Sequence, residues 1–140
     1  MSTYLITGAN RGIGLELSRQ LKARGEDVIA TCRSSSSELN SLSVRVETEI
    51  DITSGDSIIK LKEKSNDTQI DVLILNAGIS EPSSLSNLDP QSIVHQFEVN
   101  ALSPLCCVQT MLSNLSDSAK IALISSRMGS IESNSSGGSY

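Results

Sequence analysis

The apolar run "TYLIT" leads directly into "GANRGIGLELSRQL", and the glycines at 8, 12 and 14 leave few folds open to the chain. A glycine lets the backbone turn sharply off a strand, a second lets it approach a ligand closely, and a third lets the following helix pack against the strand. Helix N–H groups and the helix dipole at such a turn attract phosphate. The turn Gly8, Asn10, Arg11, Gly12, Ile13 and Gly14 is therefore the expected cradle of a dinucleotide pyrophosphate. Its first gap is longer than in G-x-G-x-x-G. A glycine-rich turn with no ligand is the plain alternative, and the strand–turn–helix setting argues against it.

The rest of the chain alternates apolar runs with helical stretches, as a parallel α/β sheet requires. Strands are expected near 3–7, 27–32, 44–50, 70–76 and 120–126. The run "IDVLILNAG" is apolar almost throughout, as a strand buried on both faces should be. Ile13, Leu17 and Leu21 recur every four residues and give the first helix an apolar stripe, with Gly25 as its C-cap. "RSSSSELNSL" allows only a short helix, and "TSGDSIIKLKEKSND" an amphipathic one. "LDPQSIVHQFEVN" opens a further helix with Asp89 as N-cap and Pro90 at the first helical position, and Pro104 is expected to kink it.

At 140 residues the chain is one domain's worth, and its net charge of −5 argues against a nucleic-acid partner. No apolar run approaches the roughly 20 residues needed to span a bilayer, and "MSTYLITG" lacks the features of a secretory leader. Cys32, Cys106 and Cys107 have no metal-ligand spacing, and their odd number suits a reducing cytoplasm. His95 reads as an ordinary helix residue.

Several further segments fall in one order. Asp51 and Ile52 lie in "EIDIT", Asn76, Ala77 and Gly78 in "LNAG", Asn100 in "FEVNALSPL", and Ser126 in "ISSRMG". With T-G-x-x-x-G-x-G, this arrangement resembles the short-chain dehydrogenase/reductase family over the whole chain, and the wording "SSRMGSI" with "SGGSY" is most similar to the branch of C-factor and sniffer-type carbonyl reductases. The resemblance implies an α/β, Rossmann-type doubly wound parallel sheet, strand order 3-2-1-4-5, with the C-terminal part of the fold missing. It implies that Asp51 and Ile52 meet the adenine and that 76–78 lie beside the cofactor. It gives Asn100 a water in a proton relay and makes Ser126 the catalytic serine. Singly, each of these has a structural reading: Asp51 as a helix cap, Asn76 and Asn100 as partners of backbone groups.

Where NAD-specific members place an acid after the second strand, this chain has Cys32 followed by Arg33. A guanidinium there can hold a 2′-phosphate in a fork, with Arg11 as a second cation, so NADP(H) is expected in preference to NAD(H). The family's proton donor is a tyrosine in Y-x-x-x-K, the lysine lowering its pKa. Tyr4 lies in the first strand, and on the branch's pattern Tyr140 neighbours a catalytic tyrosine expected two positions further on. The expectation is an NADP(H)-dependent oxidoreductase acting on a small carbonyl or alcohol, homo-oligomeric at full length and inactive as residues 1–140 alone. The alternatives are a non-catalytic dinucleotide-binding or signalling protein, and another Rossmann-type enzyme such as a methyltransferase.

Overall fold

The computed structural model describes residues 1–130 and 132, so Tyr140 and the Ser/Gly-rich stretch before it lie outside the described residues. Five parallel strands, β1 (Thr3–Thr7), β2 (Asp27–Thr31), β3 (Arg45–Glu47), β4 (Ile70–Leu75) and β5 (Leu115–Leu123), form one sheet in the order β3-β2-β1-β4-β5. The helices are α1 (Gly12–Ala23), α2 (Ser37–Ser41), α3 (Gly55–Lys64), α4 (Pro90–Phe97) and α5 (Ser103–Met111), with a π-helical turn at Glu98–Leu102 joining the last two.

Alternate strand residues face opposite sides of the sheet, and both sides are covered. Leu5, Ile29, Leu73 and Leu75 pack with Ile58 and Leu61 of α3 and with Cys107 and Met111 of α5. Ile6, Val28, Ala30 and Ile74 pack with Leu21 of α1 and Leu39 of α2. This is a doubly wound Rossmann-type sheet. Burial also pushes the Cys107 thiol up to about 11, with Cys106 beside it adding to the effect, which suits a packing role for Cys107.

Helix ends follow the local chemistry. The side chains of Ser36, Ser54 and Asp89 accept backbone N–H bonds at the starts of α2, α3 and α4. Past α1, the Gly25 N–H donates to the Lys22 carbonyl and the Glu26 N–H to Leu21, with Gly25 at φ +81°, which is a Schellman ending. The last carbonyls of α3 are met by a distant residue, Asn114, whose Nδ2 donates to Lys62 and Ser65 at 3.2 and 3.0 Å.

Three expectations need correction. The third strand is shorter than 44–50, because Glu49 adopts φ +61° and interrupts the regular ladder, although Glu49 and Ile50 still bond to the chain beyond β2. The fifth begins earlier than residue 120 and ends before 126. Leu115 pairs with Ile70 and Lys120 with Val72, so β5 carries extra residues between them, and the polar "SDS" there hides a strand that begins with an irregularity. The α1 stripe is displaced: Gly14, Ser18 and Leu21 are its buried residues, while Ile13 is 62% exposed. Pro104 follows the π turn, in which the Ser103 N–H donates to the Glu98 carbonyl five residues back.

Gly14 shows why the buried face of α1 starts with a glycine. A Cβ there would lie 2.4 Å from the Gly8 carbonyl oxygen and 2.6 Å from Asn76 Nδ2. Gly14→Ala is expected to cost about 1–3 kcal/mol by overpacking. Gly55→Ala, whose Cβ would meet nothing within 4 Å, should be neutral or mildly stabilising. Urea unfolding of both variants checks this, and equal midpoints would contradict the packing argument.

Candidate dinucleotide site

The sheet's strand order reverses at β1 and β4, and a cleft opens beyond their carboxyl ends, where ligands of such sheets bind. The main cavity there measures about 410 Å³. The glycine turn forms its floor. Gly8 and Gly12 take φ +67° and +55°, values that favour glycine, and a Cβ on Gly12 would meet nothing within 4 Å, so its space is open. The α1 N-terminus has no side-chain cap and no acid in its first turn, which leaves its field unopposed. Gly8, Asn10, Arg11, Gly12 and Ile13 all line the cavity. The exposure of Ile13 is thereby explained: it faces the cleft.

The turn is tied to β4 by two side chains. The Thr7 hydroxyl accepts the N–H groups of Asn76 and Ala77 at 3.0 and 3.1 Å. Asn76 Nδ2 returns hydrogen bonds to the carbonyls of Thr7 and Gly8 at 3.0 and 3.1 Å. The sequence pattern marked Asn76 without assigning a task to Thr7. Ser36, the N-cap of α2, donates to the Asn10 carbonyl at 2.8 Å and steadies the turn from the other side.

Beyond β2, backbone pairing continues for several residues. Cys32 N–H donates to Glu47, Ile50 N–H to Cys32, and Glu49 N–H to the Arg33 carbonyl. These bonds carry Arg33 to the rim of the cavity, with Cys32 in its wall and Asp51, Ile52 and Thr53 beside them. Among the described residues, neither Arg11 nor Arg33 is within ion-pair distance of a carboxylate. Asp51 Oδ1 accepts the Thr53 hydroxyl at 2.7 Å and the Thr53 N–H at 2.9 Å. Those bonds hold its carboxyl below the usual value, helped by the charges of Arg33 and His95. Asp51 thus braces its own turn and faces the cleft, past the end of β3 and not within it.

The remaining wall comes from 76–79, with Val99 and His95 from the helical side. Asn100 lies on the π turn, and its amide is engaged with the backbone of Ile79: Oδ1 accepts the N–H at 2.9 Å and Nδ2 donates to the carbonyl at 2.8 Å. A Cβ on Gly78 would come 3.2 Å from Asn100 Oδ1, so this contact is close. Ser126 follows β5, whose pairing extends one residue further through Ile124 N–H to the Leu75 carbonyl. It therefore sits at the same carboxyl edge as Gly8, Gly12 and Asn76, although it is not among the lining residues. His95, read from sequence as an ordinary helix residue, lines the cavity; its spacing of four from Val99 was the available signal.

The short chain dehydrogenase family model matches residues 2–140. Similar proteins include the 1-hydroxy-2-glutathionyl-2-methyl-3-butene dehydrogenase of Rhodococcus sp. (strain AD45), 38% identical over 144 residues, with 100% of this chain and 63% of that protein covered. Among solved structures, a carbonyl reductase from Pseudomonas aeruginosa PAO1 superposes with a TM-score of 0.90 at 30% identity, covering 99% of this chain and 68% of that one. A short-chain dehydrogenase/reductase from Burkholderia multivorans with bound NADP gives 0.89 at 31%, covering 98% and 64%. The chain spans less than two thirds of the Rhodococcus protein's own length. With its glycine turn, its strand order and the edge on which its motifs meet, the chain belongs to the short-chain dehydrogenase family.

Proposed function

We propose that these residues form the NADP(H)-binding part of an oxidoreductase that moves hydride between nicotinamide and a carbonyl or alcohol. One observation carries the reading. The uncapped end of α1 opens into a cleft with Arg11 and Arg33 at hand, and the residue that follows β2 is Cys32, not an acid. The cleft's volume of about 410 Å³ falls within the ~300–1,000 Å³ typical of small-molecule sites. The NADP bound to the Burkholderia structure supports the choice of cofactor.

When bound, the nicotinamide supplies or accepts the hydride. The chain's own residues have separate tasks. The first-turn N–H groups of α1 and the Gly8 and Gly12 backbone bind the pyrophosphate, and Gly14 keeps that helix against the strand. Arg33 and Arg11 grip the 2′-phosphate, and Asp51 with Ile52 holds the adenine. Asn76, Ala77 and Gly78 form the opposite wall. Ser126 orients the substrate's oxygen, and Asn100 holds a water for proton transfer while it fixes Ile79. Residues 1–140 contain no Y-x-x-x-K, so the proton donor of this chemistry is not among them.

No described helix is long and apolar enough to cross a membrane. Exposed Val94, Phe97 and Leu105 on α4 and α5 support a homo-oligomer at full length, which we place in the cytoplasm.

NADPH should bind more tightly than NADH by roughly ten- to a hundredfold, the worth of about one charge-assisted hydrogen bond. Arg33→Ala should remove most of that preference, as titration calorimetry can read, and equal affinities in the unmutated chain would refute the assignment of Arg33.

A polypeptide of residues 1–140 is expected to bind cofactor without reducing carbonyls, since general acid catalysis contributes ~10²–10⁴-fold and needs a positioned donor. Turnover of reactive dicarbonyls that disappears on Tyr140→Phe would instead identify Tyr140 as the acid.

A further inference from the structure

Ser92, Gln96 and Asn100 recur every four residues, and all three bond to the segment that leaves β4. Asn100 clamps both backbone groups of Ile79. Gln96 repeats the clamp two residues further along: Oε1 accepts the Glu81 N–H at 2.9 Å, and Nε2 donates to the Glu81 carbonyl at 3.2 Å. Ser92 Oγ donates to the Glu81 carboxylate, and Gln96 Nε2 also reaches Ser92 Oγ at 3.3 Å.

The spacings match. The four-residue step from Gln96 on α4 to Asn100 on the π turn, up to about 6.0 Å in a regular α-helix, is close to the roughly 6.6 Å between alternate residues of an extended chain. Alternate residues of an extended chain present both N–H and C=O to one side, which is what a neighbouring strand pairs with. Here side-chain amides stand in for that strand. Residue 79 lies opposite 100 and 81 opposite 96, an antiparallel sense. One clamp alone would leave the segment free to pivot about Ile79, whereas two fix its direction. Gly78 and Ile79, immediately before and within the clamped stretch, line the cleft.

We propose that Gln96 is a positioning residue of the dinucleotide site: with Asn100 and Ser92 it holds 79–81 as a surrogate strand on α4, and so sets where Gly78 and Ile79 stand in the cavity wall. This rests on the NADP(H) reading of the cleft. Gln96 touches no cofactor itself and acts through the backbone of Glu81.

The test compares the unmutated chain with Gln96→Leu, which removes both bonds to Glu81 and the one to Ser92, and Gln96→Glu, which keeps the acceptor and loses the donor. NADPH and NADH affinities should both fall about three- to tenfold in Gln96→Leu, the worth of one or two neutral hydrogen bonds, with their ratio unchanged because Arg33 lies on the other wall. Gln96→Glu should fall between. Amide exchange at Ile79 and Glu81 should quicken while β4 amides keep their protection. Unchanged affinity despite faster exchange at those two amides would overturn the proposal. So would a loss of affinity that comes with loss of β4 protection, since that is general destabilisation. Gln96→Glu supplies the same readouts if Gln96→Leu does not fold. An unmutated chain that binds neither cofactor would overturn the NADP(H) reading and this assignment with it, whereas failure of the variants alone overturns only the latter.

Discussion

The junction of β1 and β4 is the point on which the architecture depends. Two strands that run side by side must send their chains in opposite directions, one into α1 and the other away from it, without leaving polar groups unmet. Thr7 and Asn76 solve this together. One hydroxyl receives two N–H groups, and one amide serves two carbonyls. Gly14 belongs to the same knot, because any side chain there would collide with the Gly8 carbonyl and the Asn76 amide at once. The floor of the cleft is therefore set by packing before any ligand arrives.

The two walls of that cleft are built differently. On the β2–β3 side, backbone pairing runs on past the strands and carries Cys32, Arg33 and Asp51 to the rim. On the β4 side, Ile79 and Glu81 have no strand partner among the described residues, and side chains of the helical segment supply the hydrogen bonds in its place. The first wall inherits its stiffness from the sheet. The second borrows it from a helix.

Much of this was legible in the sequence, because the signals were local. Strand order followed from the family resemblance that the motifs carry, the start of α4 from Asp89 and Pro90, and the glycine spacing announced the turn. The hidden features depend on distant partners or on context. The start of β5 is masked by "SDS", which reads as a loop until β4 is beside it. Ile13 looks like core by its spacing, yet it borders the cleft, which periodicity cannot distinguish from an interior. Thr7, Ser36 and Asn114 hold backbone groups many residues away, and a small polar residue carries no mark of such a task. His95 was passed over because a lone histidine on a helix has no spacing partner of its own kind.

The π turn at Glu98–Leu102 has a geometric consequence for the helical segment around it. Gln96 and Cys107 are eleven residues apart, which in an unbroken α-helix would put them on nearly the same face. A bond that reaches back five residues takes in one more than usual, so everything beyond it lags by one position, about 100°. Gln96 can therefore address the 79–81 segment while Cys107 and Met111 look into the sheet. The turn works as a rotary coupling, joining two helices whose working faces are about a quarter-turn apart without an intervening loop.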